Sequence, residues 1–122
     1  MPLSIIVCED NGVISLDLRS ILKRLGHKVI LSCQSGKDVL EQLNKGLSAE
    51  LIIIDVRLKG DMDGYQLAAV LLKTYNFPVI FITGSGSRQY KKDYLTNERT
   101  CFIKKPFNQE EIHSAIEQLI HN

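Results

Sequence analysis

Three acidic residues, a threonine and a lysine directly follow or end apolar runs that are far apart in this sequence. They are Glu9, Asp10, Asp55, Thr83 and Lys105. If the apolar runs are parallel strands of one sheet, these side chains meet at the edge where the strands end. Side chains of these types could together bind a cation and a phosphate group.

Three neighbouring carboxylates favour a bound cation, because without one they repel each other or bind protons. Mg²⁺ suits such a site, since it binds one or two carboxylates and keeps positions open for water and phosphate oxygens; we expect Mn²⁺ to substitute for it. The lysine and the threonine could hold phosphate oxygens opposite the metal, and Gly84 leaves room beside the hydroxyl. Together these residue types predict a carboxylate nucleophile that accepts a phosphoryl group and forms an acyl phosphate.

The apolar runs alternate along the chain with segments of helical periodicity. Rich in Ile and Val and not strictly alternating with polar residues, they predict parallel strands covered on both faces. The runs are residues 3–8, 28–33, 51–56, 78–83 and 101–104. This β-α alternation predicts right-handed crossovers and a parallel sheet between two layers of helices.

Capping patterns mark the starts of two of the helical segments. Ser35 with Asp38 forms a capping pair, and Asn108 with Glu111 resembles a capping box. The segment 87–98, by contrast, is mostly polar. We expect it to form the least stable helix, because few apolar side chains anchor it.

The bulk composition predicts one soluble domain. We expect residues 1–122 to form it, with no output domain in this chain, since the last apolar stripe ends close to the C-terminus. The formal net charge of +1 gives no support for bulk binding to nucleic acid or to an anionic membrane.

The cysteines predict a reducing compartment. Cys8, Cys33 and Cys101 are odd in number, far apart, and adjacent to apolar runs, which is typical of reduced, buried thiols. No CxxC or Cys/His spacing indicates zinc. The first apolar run is too short for a signal peptide or a membrane span. We therefore expect a cytoplasmic protein.

Five short motifs, in order along the chain, resemble the receiver domain of two-component response regulators. They are the acidic pair "ED", the strand-terminal "IIIDV", the "DG" that opens the next helix, "FITG" and "FIKKPF". The resemblance covers essentially the whole chain. It implies an α/β, doubly wound, flavodoxin-like (βα)5 fold whose five-stranded parallel sheet has the order 2-1-3-4-5.

The resemblance assigns roles to the acidic residues. It implies that Asp55 is the phosphoacceptor and one of the magnesium ligands. Asp10 would bind the metal directly, and Glu9 mainly through coordinated water. Arg57 would contribute its backbone carbonyl oxygen to the metal.

It also assigns roles around the phosphoryl group. Thr83, with Gly84 beside it, would contact the phosphoryl group once formed, and Lys105 would pair with it. Phe102 matches the aromatic switch position, whose rotamer accompanies the movement of Thr83. The bond between Lys105 and Pro106 is usually cis in this family.

The function implied is that of a switch rather than an enzyme. A sensor histidine kinase or a histidine phosphotransfer protein would donate the phosphoryl group, and the chain would catalyse only its own phosphorylation and slow autodephosphorylation. Phosphorylation would alter the surface formed by the fourth helix, the fifth strand and the fifth helix, where a downstream protein docks. The resemblance implies a monomer or a phosphorylation-dependent dimer, with no direct contact to nucleic acid or membrane.

The chain departs from the commonest family pattern in two places. The loop "RLKGDMDG" lacks the usual proline and has one extra residue, and its Gly60 can take a positive φ. The acidic pair is Glu-Asp instead of Asp-Asp. Asp61 and Asp63 do not fit a calcium loop, whose twelfth position here is Val70. We expect both acids to be exposed residues of a turn or helix start.

Three other functions compete with the receiver. A haloacid dehalogenase-type phosphohydrolase needs a second acid two residues after its nucleophile, where this chain has Arg57, and a cap domain. A flavodoxin-like cofactor binder is disfavoured by the acids at the phosphate end and the absence of Trp. A pseudo-receiver that is never phosphorylated is disfavoured by the complete set of acceptor residues.

Overall fold

The computed structural model describes residues 2–58, 60–84 and 99–120. The strands in these ranges are β1 (Ser4–Cys8), β2 (Lys28–Cys33), β3 (Leu51–Asp55), β4 (Val79–Thr83) and β5 (Thr100–Lys104). The helices are α1 (Gly12–Arg24), α2 (Gly36–Asn44), α3 (Gly64–Thr74) and α4 (Gln109–Ile120). The predicted helix at 87–98 lies outside the described residues. Within them, no helix has the length and apolar character needed to cross a bilayer.

The strands form one parallel sheet in the order β2-β1-β3-β4-β5. The predicted strand order is therefore confirmed, and each strand end lies within one residue of the predicted run. The order places β1 beside β3 at the centre of the sheet, although a helix and another strand separate them in sequence. It also leaves β2 and β5 as the two edges of the sheet.

The core lies on both faces of the sheet, and the central strand β3 shows how. Ile52 and Ile54 belong to a cluster that includes side chains of α2 and α3. Leu51 and Ile53 belong to a second cluster that includes side chains of α1 and α4. Because alternate side chains are buried on opposite faces, the strand needs a continuous apolar run, and all of its residues are buried.

The helix starts follow the predicted capping patterns. The side-chain oxygen of Ser35 accepts a hydrogen bond from the backbone N–H of Asp38 (3.3 Å). Asn108 and Glu111 form the reciprocal box, each side chain accepting from the other's backbone N–H (2.8 and 3.1 Å). Such caps satisfy N–H groups that a helix leaves without partners in its first turn.

The cysteines are free thiols, in agreement with the prediction. Cys8 and Cys33 are buried, and burial raises the pKa of the Cys8 thiol to about 12. Cys101 is only partly buried, so the expectation of a buried thiol is wrong at that position. It lies on the edge strand β5, which only one neighbouring strand covers.

The start of α3 lies directly against the end of β3. The backbone N–H of Gly64 donates to the carbonyl oxygen of Val56 at 3.0 Å. A Cβ atom at Gly64 would overlap the carbonyl oxygen of Asp55 and approach the Cα of Val56 to 2.7 Å. A glycine is therefore required here by close approach of two backbone segments.

Gly64→Ala should lower the free energy of unfolding by about 2 kcal/mol, because the obstructing atoms are backbone and cannot rotate away. Gly12→Ala is the matched control, since a Cβ there meets nothing within 4 Å. We expect the control to be unchanged or slightly more stable. Urea denaturation followed by circular dichroism measures both. Equal stability of the two variants would contradict this account of Gly64.

Candidate functional site

The sheet register brings the acidic residues together. Cys8 of β1 pairs with Ile54 of β3, so the next residues in the two strands, Glu9 and Asp55, lie side by side at the carboxyl edge. Asp10 follows Glu9. Carboxylate oxygens of all three residues lie within 4.8 Å of one another. The predicted clustering of the three acids is therefore observed.

Two of these acids are almost fully buried. Glu9 is 3% exposed and Asp55 is 5% exposed, and Asp10 is partly exposed. Buried carboxylates need hydrogen-bond donors or a counter-charge, because the loss of hydration disfavours their ionised form. The structure supplies both, from backbone N–H groups and from Lys105.

Lys105 is the cation of the site. Its Nζ donates to Oδ2 of Asp55 at 3.0 Å and lies 3.4 Å from Oε1 of Glu9. Its backbone is fixed to the end of the neighbouring strand, because its N–H donates to the carbonyl oxygen of Thr83 at 2.7 Å. The Lys105–Pro106 peptide bond is cis, as the sequence predicts.

Backbone N–H groups hold the other carboxylate oxygens. The N–H of Arg57 donates to Oδ1 of Asp55 at 2.9 Å, and that of Asn11 donates to Oε2 of Glu9 at 3.1 Å. Asn11 also caps α1, its side chain accepting from the N–H groups of Val13 and Ile14. The turn that starts α1 therefore also positions Glu9.

The two buried acids differ in protonation behaviour. Burial raises the pKa of Glu9 to about 7, assisted by a hydrogen bond to Asp55 and opposed by Asn11 and Lys105. Burial also opposes ionisation of Asp55, but hydrogen bonds from Glu9, Arg57 and Lys105 outweigh it and lower its pKa. The lowered pKa keeps the Asp55 carboxylate ionised at neutral pH.

The acids fit a cation that binds oxygen ligands. Oε1 of Glu9 is buried, and no donor in the described part of the chain hydrogen-bonds to it. Glu9 and Asp55 share the Lys105 ammonium as an ion-pair partner, and Asp10 adds a third carboxylate beside them. A hard divalent ion would offset the excess negative charge and could coordinate this buried oxygen, which lacks a hydrogen bond. The contribution of the Arg57 carbonyl oxygen stays a prediction.

Three further predicted residues lie on or directly after the strands β4 and β5. Thr83 ends β4 and is 3% exposed, and beside it Gly84 has open space where a Cβ would be. Phe102 of β5 is partly buried and stacks on Phe81, with ring centroids 4.8 Å apart and planes at 18°. The sequence does not predict the contact between Phe102 and Phe81. The position of Phe81 in an apolar run indicates only that it is a core residue.

The loop after Asp55 explains how the chain accommodates its unusual sequence. Gly60 has a φ of +102°, as its freedom from a Cβ predicts. Leu58 is buried. The side chain of Met62 lies against Gly36, and its Sδ is 2.9 Å from the position that a Cβ on Gly36 would take. Asp63 caps α3 in a reciprocal box with Gln66 (both bonds 2.8 Å). Asp61 and Asp63 are exposed, in agreement with the prediction.

The response regulator receiver domain family matches residues 5–117, nearly the whole chain. This chain belongs to the response regulator receiver family. The match agrees with the sheet order and with the position of the acidic cluster at the carboxyl edge. It argues against the phosphohydrolase and the cofactor binder that the sequence left open.

Known relatives of this receiver are longer regulators. Phyllosphere-induced regulator PhyR of Methylorubrum extorquens is 31% identical over 123 residues, covering 98% of this chain and 44% of that protein. The uncharacterized transcriptional regulatory protein YrkP of Bacillus subtilis is 31% identical over 116 residues, covering 95% of this chain and 48% of that protein. The receiver thus spans about half the length of these curated relatives.

A solved receiver has the same fold. The solution NMR structure of the receiver domain of PhyR from Erythrobacter litoralis superposes with a TM-score of 0.83 at 25% identity. The superposition covers 98% of this chain and 91% of that one. The five-stranded parallel architecture is therefore that of known receiver domains.

Lys105→Met should lower the free energy of unfolding by about 2 kcal/mol in buffer free of divalent cations, because it leaves two buried acids without their counter-charge. The loss should be smaller than for a fully buried pair, since the lysine side chain is 23% exposed. The matched control is Lys104→Met, at an exposed neighbouring position.

We expect the control to change stability by less than about 0.5 kcal/mol. Adding Asp55→Asn to Lys105→Met should restore part of the loss, because it removes one of the unpaired negative charges. Chemical denaturation of the four proteins tests the account. An equal loss of stability in Lys105→Met and Lys104→Met would contradict the role given to Lys105.

Proposed function

We propose that Asp55 accepts a phosphoryl group from the phosphohistidine of a sensor histidine kinase or a histidine phosphotransfer protein. One observation carries the proposal. The Asp55 carboxylate is ionised and rigidly held, with one oxygen bound to the Arg57 N–H and the other to the Lys105 ammonium. It also lies beside two further acids at the ligand-binding edge of a parallel sheet.

In the proposed transfer, a carboxylate oxygen of Asp55 forms a bond to phosphorus. The phosphorus–nitrogen bond of the phosphohistidine breaks, and its electron pair returns to the imidazole. Asp55 needs no base to activate it, because its hydrogen bonds already keep it ionised. Its place at the end of a buried strand limits the motion that would misalign the attack.

Glu9, Asp10, Asp55 and the backbone carbonyl of Arg57 would hold a magnesium ion. When bound, that ion supplies positive charge that stabilises the phosphoryl oxygens during transfer. The chain's own contribution is to collect the acids. The β1–β3 register sets Glu9 beside Asp55, and the Asn11 N–H orients the Glu9 carboxyl group.

Lys105 and Thr83 would hold the transferred group. The ammonium lies 3.0 Å from Oδ2 of Asp55, so it is adjacent to oxygens of a phosphoryl group on that carboxylate. Thr83 ends the neighbouring strand, with open space beside Gly84. Its hydroxyl would reorient toward the new charge.

The acyl phosphate would act as a switch. Movement of Thr83 would let Phe102 leave its position on Phe81, and this would change the surface formed by β5, the last helix and the predicted helix at 87–98. A downstream protein would dock there. The chain would then be a regulatory domain of residues 1–122, whose only chemistry is on itself, and a monomer or a phosphorylation-dependent dimer.

The proposal includes a cytoplasmic location. Two of the three cysteines are buried free thiols, which agrees with a reducing compartment. Contact with a kinase and with a protein target requires no direct binding to nucleic acid or lipid.

Incubation with a small acyl phosphate and Mg²⁺ should add one phosphoryl group to the protein, because the Asp55 carboxylate is ionised and lies at the carboxyl edge of the sheet. Omitting the metal should abolish the addition, and Mn²⁺ in place of Mg²⁺ should preserve it. Asp55→Asn should remain unmodified. Intact-protein mass spectrometry reads the result.

The control for this experiment is Asp61→Asn, which removes an exposed acid from the same loop without touching the cluster. It should be phosphorylated like the wild type. If the folded wild-type chain stays unmodified with donor and metal, or if Asp55→Asn is still modified, Asp55 is not the acceptor.

Thr83→Ala should separate acceptance from switching. We expect it to take up one phosphoryl group, because the nucleophile is intact, but to show smaller changes in the backbone amide chemical shifts of Phe102 and its strand. Two-dimensional NMR with excess donor and Mg²⁺ measures these shifts. Ser48→Ala, at an exposed position before β3, is the control and should behave as wild type. Shift changes in Thr83→Ala equal to wild type would refute the role of the hydroxyl.

A further inference from the structure

We infer that the groove along the free edge of β2 binds an acidic, extended segment of a partner protein, which adds to the sheet as a further strand. This groove is remote from Asp55 in function as well as in place. Nothing in the proposed phosphoryl transfer uses it, and the inference stands independently of that proposal.

The groove lies between α1 and the outer edge of β2. It has a volume of about 510 Å³ and is lined by Arg19 and Lys23 of α1 and by the continuous stretch from His27 to Ser32. Arg19, Lys23 and Lys28 are the basic residues of this lining, and Val29, Ile30 and Leu31 are its apolar residues.

The positive charge of the groove is not compensated by the described part of the chain. Among the described residues, the ion pairs connect Lys105 to Glu9 and Asp55. None of these ion pairs involves Arg19, Lys23 or Lys28. All three of these basic residues are exposed. An anionic partner would therefore gain their interactions without first breaking existing ion pairs.

The Arg19 side chain is partly oriented by a neighbour on its own helix. Nε of Arg19 donates to the backbone and hydroxyl oxygens of Ser15, both at 3.3 Å, which leaves the terminal nitrogens of the guanidinium for a ligand. The backbone N–H of Lys28 donates to the carbonyl oxygen of Leu3 at 2.8 Å, which fixes the start of β2. Partly ordered side chains lose less entropy on binding.

His27 contributes shape rather than charge. Its Nδ1 accepts a hydrogen bond from the backbone N–H of Leu3 at 3.1 Å. Burial lowers its pKa, assisted by the N-terminus and His113, against the opposing effect of Glu117 and Glu50. The imidazole is therefore neutral at physiological pH, and the attraction for an acidic segment comes from the arginine and the lysines.

The backbone of β2 offers hydrogen bonds to an added strand. The N–H of Lys28 and the carbonyl of Cys33 both bond toward β1. Because successive residues of a strand present their backbone groups to opposite sides, Val29 and Ser32 face outward. β2 is an edge of the sheet, so these groups have no strand partner in the described structure.

The spacing of the basic residues matches an extended peptide. Arg19 and Lys23 are one i, i+4 pair on α1, which separates them by roughly 6 Å along the helix axis. Side chains on one face of a strand recur every second residue, roughly 6.6 Å apart. An added strand with acids at alternate positions could thus place one carboxylate opposite each of the two basic side chains.

The edge selects against a second copy of itself. A lysine on an edge strand discourages pairing between like edges, and β2 begins with the exposed Lys28. Two copies pairing through β2 would bring like charges together. An acidic strand reverses that repulsion, so a heterologous acidic segment is the favoured occupant.

The test uses a synthetic peptide that alternates glutamate with valine and threonine. Isothermal titration measures its affinity for the full chain, and NMR-detected hydrogen exchange reads the backbone. We expect binding, together with slowed exchange at the amides of Val29 and Ser32. We expect Asp55→Asn to bind equally, so that failure of this inference and failure of phosphoryl transfer are distinguishable.

Arg19→Glu combined with Lys23→Glu should weaken binding about tenfold or more, since two attractions become repulsions. The matched control is Lys37→Glu combined with Lys73→Glu, which makes the same charge change at exposed positions of α2 and α3. It should bind as wild type. Both pairs are exposed, and circular dichroism verifies that the variants fold.

A peptide of the same composition with its glutamates placed consecutively should bind more weakly, because only the alternating sequence matches the groove. Equal binding of the two peptides, or equal binding of a single-stranded DNA oligonucleotide, would overturn the inference in favour of a general anion surface. So would the absence of protection at Val29 and Ser32. Protection of these amides that rises with protein concentration and needs no peptide would assign the edge to a second copy instead.

Discussion

The concentration of negative charge around Lys105 is the constraint on which the rest of this molecule depends. Glu9 and Asp55 are nearly buried, and the Lys105 ammonium pairs with both. Such an arrangement can exist only on a rigid frame, because a shift of one strand would leave a buried charge without its partner. The fully buried central strands β3 and β4 supply that frame.

The frame and the site share their backbone hydrogen bonds. The Asn11 N–H that holds Glu9 belongs to the turn that starts α1, and the Arg57 N–H that holds Asp55 belongs to the turn after β3. The same strand ends and turns that form the fold therefore also provide the residues of the site. This explains how residues that are distant in sequence are held side by side.

Much of this arrangement could be predicted from the sequence. The runs ending at Asp55 and Thr83 indicate buried parallel strands through their composition, and the topology of such sheets then brings the polar residues to one edge. The stacking of Phe102 on Phe81 could not be predicted, because apolar periodicity identifies core residues without pairing them. The roles of Asn11 and of the uncompensated charge beside β2 also depend on three-dimensional register, which local patterns do not encode.

The loop between β3 and α3 has both of its ends fixed at a single point. The hydrogen bond from the Gly64 N–H to the Val56 carbonyl joins the two ends of the loop. Gly60, with its positive φ, turns the chain in a loop that lacks the family's usual proline. The entropy of a closed loop depends only weakly on its length. Residues can therefore be gained or lost at its tip without displacing Asp55, which makes this loop suitable for length variation and for inserting a reporter peptide.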